Sequence, residues 1–345
     1  MMKKTLKRYD TLMKNYVLLL FCLLPTVAIG QGVKPNKHNP VIKGYYADPE
    51  IMYSEKTHRY YLYPTTDGCI DWRNHDAHVY SSKNLKRWRR EGTVLDLLTD
   101  CTWANEKLWA PCAIERDGRT YYYFTAEGSI GVAVADNPAG PFRDALGRPL
   151  IKMPDTPPMK NHTIDPDVFR DPVSGKYYLY WGNGCLLVAE LADDMVSFRD
   201  EMTLYDGTYP GRFIIAPGQK RQYHYNEGPY VFYRNGKYYF TWSENDTRSP
   251  EYRVRYMMSS SPTEATEPVS QTIVIEQDST RQVYGTGHHA ILQKPGTDEW
   301  YIVYHRFERP DGINRGRAAG YFREVCIDRL YFNEDGTIKP VKPSL

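Results

Sequence analysis

Five stretches of the chain repeat one pattern of apolar and polar positions. Each opens as a short apolar strand, breaks at a polar turn and returns as an aromatic strand. Asp48-Pro49-Glu50-Ile51-Met52-Tyr53 leads to Tyr60-Tyr61-Leu62-Tyr63, and Ala110-Pro111-Cys112-Ala113-Ile114 leads to Tyr121-Tyr122-Tyr123-Phe124. Asp165-Pro166-Asp167-Val168-Phe169 leads to Tyr177-Tyr178-Leu179-Tyr180, and Glu227-Gly228-Pro229-Tyr230-Val231-Phe232 leads to Tyr238-Tyr239-Phe240-Thr241. The fifth joins His288-His289-Ala290-Ile291-Leu292 to Trp300-Tyr301-Ile302-Val303-Tyr304. Short apolar runs joined by such turns predict antiparallel hairpins. Their first residues, Asp48, Ala110, Asp165, Glu227 and His288, are spaced by 62, 55, 62 and 61 positions. A further strand follows in at least four units, for example Val79-Tyr80-Ser81-Ser82 and Leu187-Val188-Ala189-Glu190. Five units of about four strands predict an all-β fold, a five-bladed β-propeller. They fill residues 31–345 as a single domain. A β-sandwich with coincidental tyrosine pairs is the alternative, and the near-constant spacing disfavours it.

Composition sharpens this picture. Apolar residues make up 41% and charged residues 25% of 345, which excludes wholesale disorder. Aromatic content is high, with 30 tyrosines against 11 phenylalanines, and tyrosine favours strands. A formal charge of +2 carries no polyanion-binding signature, so no nucleic-acid partner is expected. Residues 1–30 carry Lys3, Lys4, Lys7, Arg8 and Lys14 before an apolar run from Val17 to Ile29, with Ala28 and Gly30 ahead of Gln31. This reads as a cleavable signal peptide, so a periplasmic or secreted protein is expected; the alternative is a buried N-terminal helix. The apolar run is too short to cross a bilayer comfortably, and no membrane span is expected. Cys69, Cys101, Cys112, Cys185 and Cys326 remain, an odd number without a CxxC spacing. A Cys101–Cys112 bridge and small buried apolar residues are the two readings left open.

Rotation about a propeller axis brings equivalent residues of successive blades to one mouth of the channel. Asp48, Asp165, Glu227 and His288 are therefore expected together there. The structural alternative is that the acids cap strand starts or bind backbone amides between blades. Grouped carboxylates suit glycosidic cleavage, in which one acid protonates the leaving oxygen and another carboxylate activates water. The second strand of each hairpin returns to the same face. Its end residues Asp67, Asn183, Asp246 and Arg306 are thus expected to bind substrate, with Trp72 and Trp109 as stacking surfaces. Core packing between blades is the alternative for each tryptophan.

The segments Tyr46-Ala47-Asp48-Pro49, Trp109-Ala110-Pro111, Ile164-Asp165-Pro166-Asp167-Val168-Phe169, Asn226-Glu227-Gly228-Pro229 and Gly285-Thr286-Gly287-His288-His289, in this order, resemble glycoside hydrolase family 43. The resemblance covers roughly residues 40–345 and implies a five-bladed propeller that inverts at the anomeric carbon. It matches Asp48 to the general base, Glu227 to the general acid and Asp165 to the acid that tunes Glu227. It matches His288 to an axial histidine holding water or a metal, often calcium, and Arg323 to an arginine on the terminal sugar. Phe322 stands where many relatives carry glycine.

Phe169-Arg170-Asp171-Pro172 is also similar to a motif of fructan-cleaving propellers, but the hairpin register puts Asp171 in a turn on the opposite face from Asp165. The expected activity is exo-acting release of a terminal sugar from plant-type polysaccharide, most consistent with α-L-arabinofuranose. The alternatives are a β-D-galactofuranosidase, a β-xylosidase, an exo-β-galactanase, or a sugar-binding propeller without catalysis.

Overall fold

Each hairpin is the inner half of a four-stranded antiparallel sheet. The computed structural model describes residues 39–153, 163–199, 203–204, 209–266 and 272–345, so the leader expected at 1–30 lies outside the described residues. Blade I comprises Tyr46–Ser54, Arg59–Thr66, Asp76–Ser82 and Arg89–Asp96, and blade II Trp109–Arg116, Arg119–Ala126, Ser129–Ala135 and Arg143–Asp144. Blade III comprises Asp167–Arg170, Tyr177–Trp181, Leu186–Glu190 and Arg212–Ile215. Blade IV runs through Glu227–Arg234, Lys237–Glu244, Arg253–Ser259 and Ile273–Ile275, and blade V through Gly287–Gln293, Trp300–Phe307, Arg323–Phe332 and Ile338–Lys339. The first strands touch one another in a closed cycle, I to V and back to I. The chain is a five-bladed β-propeller.

The paired aromatics now have a physical cause. A second strand is buried on both faces, and its side chains alternate between two blade interfaces. Tyr61 and Tyr63 pack with Tyr122 and Phe124 between blades I and II, whereas Tyr60 and Leu62 pack with Val303 and Val325 between blades I and V. Tyr123 meets Leu179 and Trp181 between II and III, Tyr180 meets Phe240 and Trp242 between III and IV, and Tyr239 meets Ile302 and Tyr304 between IV and V. Tyrosine rather than phenylalanine serves here because its hydroxyl reaches a carbonyl of the next blade. Tyr63 donates to Pro138 O, Tyr123 to Met195 O, Tyr180 to Pro262 O and Tyr239 to Gly336 O, each at 2.6 Å. A buried phenol would otherwise lose its hydration without replacement.

The ends are tied in. Val41 N–H donates to Val325 O at 2.9 Å, and Asn39 exchanges hydrogen bonds with the Ile327 backbone. The C-terminal tail returns to blade IV, where Val341 N–H donates to Val274 O at 2.7 Å. All five described cysteines are unpaired: Cys112 lies in the II–III core and Cys101 against the I–II core, so the bridge reading gives way to the apolar one. Asp171 accepts the Val173 and Ser174 amides and the Tyr238 hydroxyl, which makes it a turn residue as the hairpin register implied.

One local distortion recurs at the channel mouth. Asp48, Ala110, Asp165, Gly228 and His288 have φ of 44°, 41°, 62°, 60° and 37°, a left-handed conformation that four non-glycine residues adopt here. In four blades the strand register slips at this point, as it does at a β-bulge. The residue's amide leaves its own ladder and is taken by a side chain of the preceding blade. Ala110 N–H donates to Thr65 Oγ1 (2.7 Å), Asp165 N–H to Thr125 Oγ1 (3.0 Å), His288 N–H to Ser243 Oγ (2.9 Å) and Asp48 N–H to His305 Nδ1 (3.1 Å). These acceptors occupy matching positions in their second strands. Blade III has Gly182 at that position, and a Cβ there would lie 2.2 Å from Cys185 O. The Asp165 carboxylate takes over, its Oδ2 accepting Gly228 N–H at 3.0 Å.

The repeat register therefore differs from the sequence alignment in one blade. Gly228, not Glu227, is the equivalent of Asp48 and Asp165; Glu227 pairs with Ser243 as Ala47 pairs with Thr65. The prolines 49, 111, 166 and 229, each following the bulged residue, carried that register. A Thr65→Val variant keeps the shape but strands the Ala110 amide. It should lose about 1–3 kcal/mol of stability in urea unfolding, with the loss absent from the exposed control Thr99→Val.

Candidate active site

The bulges aim Asp48, Asp165 and His288 at one mouth of the channel, and Glu227 joins them from one position earlier. Asp48 Oδ1 accepts from Arg323 Nη1 at 3.0 Å, and His288 Nδ1 lies 3.4 Å from Asp48 Oδ1 and 4.0 Å from Asp165 Oδ2. Glu227 is held on both oxygens, with Asn183 Nδ2 donating to Oε2 at 2.7 Å and the Tyr252 hydroxyl donating to Oε1 at 2.8 Å.

The environments drive these carboxyls apart. Burial by itself would raise Asp48, but Arg323, and then His288 and His305, outweigh it and hold the carboxyl well below the usual carboxylate range. Burial pushes Glu227 up to about 7; the Tyr252 hydroxyl and Arg323 oppose the rise, and Asp48 and Asp246 add to it. Asp165 is raised by burial first and then by Glu227 and Asp48. Like charges this close do not both ionise readily, so Asp165 and Glu227 retain a proton between them near neutrality. One carboxylate stays ionised beside another that stays protonated, which is the requirement for paired general base and general acid.

The remaining predicted residues fall into four settings. Asn183 touches Glu227 directly. Asp67 lies beneath Arg323, its side chain wholly buried, accepting from Nε at 2.9 Å, Nη2 at 3.2 Å and the backbone amide at 3.0 Å. It orients the arginine and does not line the cleft. Trp72, Trp109 and Asp246 form one wall. Trp109 Nε1 donates to Trp72 O and Trp72 Nε1 to Gly320 O, while Trp72 sits edge-on to Tyr321 at 4.5 Å. Asp246 chelates Arg248 at 2.8 and 2.6 Å, and Arg248 covers the Trp72 ring at 5.5 Å. Arg306 is not brought to the mouth. It is 1% exposed, with Nε on Glu324 at 2.8 Å and Nη1 on Ser344 O at 2.6 Å. Alternation along the strand turns its neighbour His305 to the axis instead.

Sequence reasoning missed Tyr252, His305 and Thr247. His305 was readable as the blade V counterpart of Thr65, Thr125 and Ser243. Tyr252 and Thr247 lie in a loop without a repeat equivalent. The resemblance also implied water or a metal, often calcium, on the axis near His288. Calcium takes roughly six to eight oxygens, and among the described residues no three His, Cys, Asp or Glu side chains gather with metal-site spacing. His288 Nδ1 faces the two carboxylates. The two carboxylates by themselves supply fewer oxygens than calcium takes.

The sequence model described as "Glycosyl hydrolases family 43" matches residues 37–338. The chain belongs to glycoside hydrolase family 43. It is 32% identical to the β-D-galactofuranosidase of Aspergillus niger over 89% of this chain and 85% of that protein. It is 28% identical to a xylosidase/arabinosidase of Humicola insolens, over 88% and 99%. Among solved structures, an α-L-arabinofuranosidase of Clostridium thermocellum superposes with a TM-score of 0.66 at 31% identity, covering 86% of this chain and 94% of that one. The family 43 chain is a glycoside hydrolase, and no helix among its described residues is long and apolar enough to cross a membrane.

The Arg323 contact yields a direct test of the site's electrostatics. Replacing Arg323 with Gln removes the largest effect opposing burial at Asp48. In carboxyl-labelled NMR the Asp48 titration midpoint should rise toward the ordinary carboxylate range.

Proposed function

We propose that this protein is an exo-acting, inverting glycosidase in which Asp48 is the general base, Glu227 the general acid and Asp165 the group that tunes Glu227. The observation that carries the reading is the opposite displacement of two carboxyls at one mouth: Asp48 is held ionised by Arg323, and Glu227 is kept protonated by burial. Glu227 would give its proton to the departing glycosidic oxygen. Asp48 would take a proton from the attacking water, which adds to the opposite face of the anomeric carbon and inverts it. Asp165 supports the acid by fixing the Gly228 amide beside it and by sharing a proton with Glu227 near neutrality.

The terminal sugar we favour is α-L-arabinofuranose, cut from plant-type polysaccharide. The similarity to an arabinofuranosidase structure supports it. The similarity to the Aspergillus galactofuranosidase favours a second reading, β-D-galactofuranose. The two sugars share ring stereochemistry and differ by one exocyclic carbon, so one furanose pocket suits both. A panel of nitrophenyl glycosides separates them. Cleavage of the arabinofuranoside at ten or more times the rate of the galactofuranoside supports the first reading, and the reverse ratio the second. The Trp72, Trp109 and Asp246 wall would contact the rest of the chain, and Arg323 the terminal ring. The leader at 1–30 supports secretion; N-terminal sequencing of the exported protein should begin at Gln31.

Glu227→Ala should lower kcat on nitrophenyl substrates by roughly two to four powers of ten. NMR of the fresh product should show the inverted anomer. Because Glu227 must hold its proton to act, kcat/KM should fall as pH rises through about 7. Asp48 stays ionised well below that, so no matching fall from it is expected in the usual carboxylate range.

A further inference from the structure

We propose that Tyr252 is a positioning residue for both carboxylates, its hydroxyl holding Glu227 and its ring seating the imidazole beneath Asp48. The inference rests on the acid and base roles given above.

Tyr252 is wholly buried at 0% exposure. Its hydroxyl donates to Glu227 Oε1 at 2.8 Å. Its ring lies parallel to that of His305, with centroids 5.5 Å apart and planes 9° from coplanar. His305 Nδ1 is 3.1 Å from the Asp48 amide. The same nitrogen lies 3.1 Å from Asp48 Oδ1, so it meets both the amide and the carboxylate of the base, and Nε2 is 3.4 Å from Thr247 Oγ1. Burial keeps this imidazole neutral, down to about 3. The ring of Tyr252 is confined from another side by Gly287, where a Cβ would lie 2.3 Å from Tyr252 Cδ1 and Cε1. One aromatic ring thus links the acid of blade IV to the base of blade I through a histidine of blade V.

The two partners of Glu227 differ in what they allow. Asn183 Nδ2 is a donor only, so it prefers the carbonyl oxygen of the protonated acid. A phenol both donates and accepts. Asn183 therefore holds Oε2 in either protonation state, whereas the Tyr252 hydroxyl donates to Oε1 most strongly when the acid is ionised. The other groups acting on Glu227 are Asp48, Asp165, Asp246, Arg323 and Tyr225. Against that background the Tyr252 hydroxyl stabilises the ionised acid, so its removal raises the pH at which Glu227 loses its proton.

Two variants and two substrates test this. Tyr252→Phe keeps the ring and volume but loses the hydroxyl. The basic limb of kcat/KM on a nitrophenyl glycoside should move up by about one pH unit. The dinitrophenyl glycoside of the same sugar, whose leaving group departs without a proton, reports on the Asp48 side alone, with Tyr252→Phe as the reference. Tyr252→Leu also removes the face under His305, and it should lose on the order of tenfold to a hundredfold on the dinitrophenyl substrate as well, because Asp48 is no longer seated. Thermal unfolding checks that the phenylalanine variant is folded; an unmoved basic limb in that folded variant overturns the inference. Equal rates of the leucine and phenylalanine variants on the dinitrophenyl substrate overturn its His305 half. Glu227→Ala is run alongside. Parent-like activity there would remove the acid assignment beneath the inference, whereas loss of activity there with an unmoved limb in Tyr252→Phe removes the inference alone.

Discussion

Every innermost strand reaches the channel mouth through one left-handed residue whose amide no longer belongs to its own sheet. That amide must find an acceptor, because a buried unpaired N–H costs about 1–3 kcal/mol. The acceptor always lies outside the donor's own sheet: Thr65, Thr125, Ser243 and His305 serve four blades, and the Asp165 carboxylate serves the fifth. The bonds that aim the side chains at the mouth are therefore also bonds that join the blades. Asp48 is placed only when blade V is docked against blade I, and the amide beside Glu227 is placed only when blade III supplies Asp165. Ring closure and site assembly are one event in this fold.

The exception in blade III shows how structure and chemistry share a residue. Gly182 has no room for a side chain, so no hydroxyl can cap the next amide. An acid does so instead, and it places a second buried carboxyl beside Glu227. A structural role for these acids, binding amides between blades, and a chemical one were alternatives on sequence grounds; Asp165 has the structural contact and the electrostatic position together. Asp48 and Glu227 then diverge because only Asp48 receives Arg323 directly, while Glu227 meets neutral donors from Asn183 and Tyr252. Asp67 completes the arrangement from below by holding the guanidinium in one orientation.

The paired tyrosines belong to the same logic one layer out. A strand buried on both faces needs large apolar side chains at every position, and inter-blade cohesion needs polar tips on some of them. Tyrosine supplies both, which is why the chain is rich in it, and why the second strands were the easiest elements to recognise.

The sequence by itself determined the number of blades, the order of strands and three acids for one mouth, because hairpin periodicity and turn chemistry are local properties written into neighbouring residues. It also pointed to Asn183, which contacts Glu227, and through the resemblance to Arg323, which contacts Asp48. It misplaced Arg306 for His305, since a shift of one residue along a strand reverses the face and composition does not reveal the shift. It aligned Glu227 with Asp48, where the backbone aligns Gly228, because a bulge adds a residue that spacing absorbs. Only the tertiary structure decided which carboxyl stays ionised, what Asp67 holds and that Tyr252 belongs to the site. Those outcomes depend on burial and on contacts between blades far apart in the chain, which exist only once the ring has closed.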